Sequence, residues 1–467
     1  MKRNQIKFLL IGLVAFSLQS CFVAKDYDDE STPDVVNSQN FRSDSLAAGS
    51  ASIVKVSWRN MFTDTVLINH IEDGLENNID IRVAIQQIAA AQAYFKQGKA
   101  GFFPSLTGNA TYTHQELSGN SQFSSLFSSL DQYEVNAQLS WEADIWGKIR
   151  SQKRATQARF LQTVAAHKAV KTQLISNIAS NYYQLLSLDE QLNVTRETVE
   201  TRQNAIETIK ALKTAGITNG AGVKQTEAQL YTAKGILIDL KKQKRLRENT
   251  LAILLGDEPH DIKRTELDQQ TITTELKSGV PAQLLSNRPD VIAAEYNYRN
   301  KFEQTNVARS NFYPSITLSA TGGFQSLSFD QLFDSGSLFA TIIGGLTQPI
   351  FQQRKIRTQF DVAQAEQEQA RLRFRKSFIT ASKEVSDALY SYEAATEKID
   401  VKKNELQANQ KATEYSQELL NNGLINYLEV LTARENALNS QLDLIQAQYN
   451  QLNSMVQLYE ALGGGWQ

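Results

Sequence analysis

The sequence predicts a mainly α-helical chain with a small membrane β part, built as two copies of one unit. Three observations predict it. Apolar residues keep heptad spacing inside two helical stretches of about 65 residues. Four short segments alternate apolar and polar residues, as strands do. The second half of the chain also restates the first at a nearly constant offset.

The chain opens MKRNQIKFLLIGLVAFSLQSC. Lys2, Arg3 and Lys7 precede an apolar run, Phe8 to Leu18, too short to span a bilayer and typical of a signal peptide. Residues 1–20 read as that signal. The Leu18-Gln19-Ser20-Cys21 ending resembles a bacterial lipobox, and Cys21, the only cysteine in 467 residues, sits where lipid would attach. Residues 21–60 follow as a polar, lipid-anchored tether.

The first repeat spans 61–256 and the second 288–467, with a linker at 257–287. Pro104 and Pro314 lie 210 residues apart, as do Asp80 and Asp290. Beyond the strands the offset is 207, which relates Lys148-Ile149-Arg150 to Lys355-Ile356-Arg357 and Gly216 to Gly423. Each repeat starts with a helical approach, at about 65–100 and 289–310. A β-hairpin follows, at 104–141 and 314–348. A long helix comes next, at about 149–213 and 356–420, then a Gly turn and a returning helix. A rod of 65 residues is roughly 95 Å long, beyond any ordinary globular domain. Ile178, Leu185, Leu192, Val199 and Ile206 form one seam, and Val385, Tyr392, Ile399 and Leu406 its copy. Thr413 breaks the second seam, so packing should loosen there.

On the strands, Thr107, Asn109 and Thr111 share a face, as do Glu134, Asn136 and Gln138, and Thr317, Ser319 and Thr321. The opposite faces are apolar. Strands of about ten residues with this alternation suit a membrane barrel whose polar residues line a wet pore. Phe102, Phe103, Trp141, Trp146, Phe312 and Tyr313 collect at one end of the hairpins, where an aromatic girdle would meet lipid headgroups. Four strands cannot close a barrel, and open edges in lipid are untenable. Two copies would supply eight strands and a filled interior. Three would supply twelve and a pore.

Other functions find little support. A formal net charge of −2 without a basic block argues against a nucleic-acid partner. Four scattered histidines and one cysteine offer no metal-ligand spacing, and no hydrolase, metalloprotease or phosphate-loop motif is present, so neither catalytic residues nor a cofactor are expected. A trimeric coiled-coil stalk would explain the heptads but not two hairpins.

Over essentially its whole mature length the chain resembles the TolC-like outer-membrane efflux family, especially its lipid-anchored branch serving resistance-nodulation-division pumps. The resemblance rests on SWEADIWGKIR at 140–150, VPAQLLSNRPDVIAAE at 280–295, FYPSITLSATGGF at 312–324, QPIFQQRKIR at 348–357 and NNGLINYLEVLTARENAL at 421–438. It implies a homotrimer, with a twelve-stranded barrel in the outer membrane continuous with a periplasmic helical barrel, and an equatorial belt formed by residues 21–60 and the linker 257–287. It also implies two partners, a periplasmic adaptor and an inner-membrane pump. The cargo it implies is drugs or other small toxic compounds, with metal ions or secreted protein as alternatives. The turns at Gly216 and Gly423 would be periplasmic tips. Glu429 matches an acidic tip position of the family, Thr432 stands where a second acid is common, and Gly222 replaces the acid in the first repeat. Asn426 and Glu429 also resemble a helix capping box, so a cap and a gate role are both open to Glu429.

Overall fold

The computed structural model describes residues 23–27, 57–120, 128–216, 218–270 and 288–464. Cys21 and most of the 257–287 linker lie outside them. The elements are α1 (Trp58–Met61), α2 (Thr65–Asn77), α3 (Ile79–Ala100), β1 (Ser105–Glu116), β2 (Ser129–Glu142), α4 (Lys148–Thr214), α5 (Gly220–Leu255), α6 (Pro289–Ser310), β3 (Ser315–Ser326), β4 (Leu338–Thr347), α7 (Lys355–Asn421) and α8 (Tyr427–Ala461). The long helices α4 and α7 have 67 residues each. The fold is thus mainly α with a small β part and an internal two-fold repeat. Among the described residues no helix is long and apolar enough to cross a membrane.

The chain divides into two units. The first comprises 1–31, 89–162 and 294–374 and contains the sheet. Its four strands run antiparallel in the order β1-β2-β3-β4. Two joints link strands to the long helices. At the first, Gly147 holds φ +78°. Asp144 accepts from the Ile149 and Arg150 amides (2.8 and 3.0 Å), satisfying two N–H groups that the helix start leaves orphaned. At the second joint Gln353 and Arg354 take φ +51° and +65°, so Arg354 occupies the left-handed conformation of its repeat partner Gly147.

The second unit comprises 32–88, 163–293 and 375–467. Its core gathers Trp58, Leu67, Ile71, Ile175, Ile178, Tyr182, Leu185 and Leu251, all nearly inaccessible. Heptad burial follows the seams. Ile178, Leu185 and Leu192 are fully buried, whereas burial on the second seam declines from Val385 to half-buried Leu406 and Thr413.

The first helical approach is not continuous, as the sequence had suggested, but breaks at Asn78. The Asn78 side chain donates to the Leu254 carbonyl at 3.0 Å and accepts from the Ile81 amide at 3.2 Å. Its repeat partner Arg288 donates to the Ala461 carbonyl at 2.8 Å. Each approach therefore closes the carbonyl end of its own returning helix, where backbone acceptors are otherwise unpaired. Gly256 and Gly463, both with positive φ, end those helices. At Gly256 a Cβ would stand 2.6 Å from the Asn77 carbonyl oxygen.

Candidate functional site

Registry across the sheet decides which side chains share a face. Thr107 pairs with Gln138, Gln138 with Thr321, and Thr321 with Thr341. Asn109 pairs with Asn136 and Thr111 with Glu134. Ser319 and Thr317 face Ser140 and Glu142. The nine residues expected to line a pore therefore lie on one surface. Asn109 donates to Asn136 at 3.2 Å, Asn136 donates to Glu134, and Lys148 holds Glu142 at 2.9 and 3.1 Å. No strand contains Lys or Arg, so the polar face carries hydroxyls, amides and those two carboxylates.

The opposite face is apolar over the rows nearer the helices and turns polar at the far end, where His114 pairs with Asp131 and Glu116 with Ser129. Leu106, Leu139, Ala320 and Ile342 form one row, and Ala110, Val135, Phe324 and Leu338 another. Leu106 and Ile342 are 72% and 76% exposed in the single chain. Apolar side chains also stand on the polar side, Leu130 on β2 opposite Gln115 among them. Ile343 and Phe339 on β4 share the polar surface, opposite Ser319 and Gly323. Gly323 is required where it stands, because a Cβ there would meet the Val135 carbonyl at 2.1 Å.

Aromatic side chains mark the helix end of the sheet. Trp141 Nε1 donates to the Phe102 carbonyl at 3.0 Å. Trp146 Nε1 donates to the Pro314 carbonyl at 2.7 Å, with its ring stacked 5.0 Å from Tyr313. Phe312 meets Phe360 edge-on, and Phe103 is 73% exposed. The sequence placed aromatics at this end alone, but the structure adds a second group at the opposite end. Tyr112 stacks on Tyr133 at 4.9 Å, Phe329 meets Tyr133, and Phe333 meets Phe324. Tyr133 and Trp141 are eight positions apart on β2, about 27 Å along a strand. A distance of that order suits the apolar band of a membrane barrel. Phe329 and Phe333 lie outside any strand and join Tyr112, Tyr133 and Phe324 only through tertiary packing, so strand periodicity does not reveal this group.

Residues 23–27, just beyond Cys21 in sequence, are clasped by α6. Asn306 accepts from the Lys25 amide at 3.1 Å and donates to its carbonyl at 2.9 Å. The Arg299 guanidinium lies 4.5 Å from the centre of the Tyr27 ring.

The two tips are built alike. Gly216 and Gly423 hold φ +76° and +71°. Asn219 accepts from the Ala221 and Gly222 amides at 3.0 and 3.2 Å, and Asn426 from Leu428 and Glu429 at 2.8 and 3.3 Å. Asparagine is among the best residues for this cap. The capping box expected for the second tip differs in one detail. The Glu429 carboxylate receives the Asn426 side-chain amide at 3.5 Å, where a box would use the backbone N–H. Glu429 and Thr432 are both exposed, and Thr432 donates to the Leu428 carbonyl within its own helix.

A family model described as outer membrane efflux protein matches residues 70–257 and 280–464. The cation efflux system protein CusC of Escherichia coli O6:H1 is 26% identical over 460 residues, 98% of this chain and 99% of its own length. The solvent efflux pump outer membrane protein SrpC of Pseudomonas putida is 30% identical over 416 residues, 87% of each chain. A crystal structure of CusC has a TM-score of 0.83 and 25% identity, covering 95% of this chain and 100% of that one.

Proposed function

The chain belongs to the outer membrane efflux protein family, and from that premise we propose that three copies share one twelve-stranded barrel and form a passive export duct. Its function is efflux across the outer membrane, not catalysis. The observation that carries the trimer is the sheet itself. Four strands present one polar and one apolar surface, and among the described residues β1 and β4 each pair on one side only. Closure in lipid needs further copies, and three give an interior wider than side chains can fill. The polar rows would then line the pore and the two aromatic groups would sit at its two membrane surfaces. Acylation of Cys21 would add a lipid anchor to the barrel. The tips at Gly216 and Gly423 would dock a periplasmic adaptor serving an inner-membrane pump.

We assign small toxic compounds as cargo, in line with the solvent relative. Apart from Glu134 and Glu142, the wall carries hydroxyls and amides, which suit a conduit that leaves selection to the pump. Metal-ion efflux is the second reading, favoured by the near-full-length likeness to a cation efflux protein. Purified protein in a planar bilayer should give stable single-channel steps. Inserted protein without conductance would overturn the duct. In a host lacking its own outer-membrane channel, restored tolerance to solvents and dyes supports the first cargo. Restored tolerance to metal salts alone supports the second.

A further inference from the structure

The β3–β4 connection, residues 327–337, is not a loose loop. Leu332 is 3% exposed and pins it. The Asp334 amide donates to the Gln331 carbonyl at 3.1 Å and the Ser337 amide to Asp334 at 3.0 Å. The Ser337 hydroxyl donates to Gln331 at 2.7 Å. This closed turn presents three large apolar side chains, Leu327, Phe329 and Phe333, at 58%, 68% and 67% exposure.

Their position relative to the sheet is decided by two ring contacts. Phe329 meets Tyr133 edge-on at 5.5 Å, and Phe333 meets Phe324 at 5.6 Å. Tyr133 and Phe324 both belong to the apolar face, in register with Tyr112 and with Val135 and Leu338. The connection therefore leans over the apolar side of the sheet, away from the row of Thr107, Gln138, Thr321 and Thr341. Its exposed apolar side chains continue the apolar surface beyond the strand ends. Asp330 and Asp334 are exposed on the same turn. Carboxylates are costly inside hydrocarbon, so they limit its depth to the interface. The first repeat carries the same pattern in sequence, Phe123-Ser-Ser-Leu-Phe127 against Phe329-Asp-Gln-Leu-Phe333, although residues 121–127 lie outside the described ones.

We propose that this connection is a membrane foot. It seats Leu327, Phe329 and Phe333 in the outer leaflet, at the boundary of headgroups and acyl chains, and leaves the pore mouth uncovered. The inference rests on the reading that the apolar face of the sheet meets lipid.

Four cysteine variants carrying a nitroxide test it in the full chain: Phe329→Cys, Phe333→Cys, Ile342→Cys on the apolar face and Thr341→Cys on the polar face. The protein is placed in vesicles of phosphatidylethanolamine and phosphatidylglycerol, and background labelling is read from the unsubstituted chain. Relative accessibility to oxygen and to a water-soluble nickel complex reports lipid against water. The expected oxygen-to-nickel ratio at 329 and 333 falls below that at 342, as an interfacial depth requires, and exceeds that at 341 several-fold. Water-like ratios at 329 and 333 with a lipid-like ratio at 342 would overturn the foot and keep the barrel. Dipolar broadening between the 333 labels of neighbouring copies would overturn it as a lid over the pore. A water-like ratio at 342 would overturn both the foot and the lipid-facing sheet beneath it.

Discussion

Glu429 illustrates how one residue can serve two purposes. It lies in the first turn of α8, where a negative charge complements the helix dipole, and receives a hydrogen bond from the capping Asn426. On a threefold axis the same carboxylate would form a ring that attracts cations and repels its copies. The two roles separate experimentally. Glu429→Ala should raise resting conductance or lower cation selectivity in a bilayer, and unchanged currents would leave only the cap. Asn426→Ala should speed amide exchange at Leu428 and Glu429 about fivefold, as loss of a cap worth about 1 kcal/mol implies. Glycines separate in the same way. Gly256→Ala adds a Cβ at 2.6 Å from the Asn77 oxygen in a left-handed residue, and should prevent stable folding. Gly235→Ala meets nothing within 4 Å inside α5 and should raise stability by about 1 kcal/mol in a thermal melt. The tip glycines and capping asparagine were legible in the sequence because their conformational demands are local. Asn78 was not, since its partner Leu254 lies 176 residues away.

The long helices illustrate what periodicity reveals at the scale of an element. The strand joints and Gly turns that flank them place α4 and α7 within a residue of their ends, while the seams Ile178–Ile206 and Val385–Leu406 mark only their inner stretches. The strands were legible from their alternation, but β4 was only half so. Ile343 and Phe339 reach the polar surface by pairing with Ser319 and Gly323, and no alternation within β4 announces it. The linker segment was read only as equatorial, yet its polar ties are specific. Arg264 pairs with both Asp189 on α4 and Glu248 on α5. Burial pushes the Asp189 carboxyl up, but Arg264 and Lys244 outweigh it and hold the group below its ordinary pKa of 3.8. A depressed carboxylate contributes stability above its unfolded pKa and loses it as pH falls through the folded one. Protease resistance of the 257–270 segment should therefore persist at neutral pH and fail only below about 3.8. Asp189→Asn should weaken that resistance at neutral pH and flatten its response to acid. An unaltered acid response in the variant would assign the loss to other groups.

At the scale of the whole molecule, the chain is a fraction of a structure. Among the described residues its sheet has two unpaired edges, and exposed residues such as Tyr231, Ile238, Leu246 and Ile253 recur at steps of seven or eight along α5. Both features ask for neighbours, and the strand arithmetic was available from the sequence because hairpins can be counted there. The number three depends on pore width, which no single chain contains. The claim that the duct exists only as three chains around one barrel is tested most directly by native mass spectrometry of the protein extracted in mild detergent. The account predicts one dominant species with the mass of three acylated chains. A dominant species of one or two chains, in protein that still conducts, would contradict it.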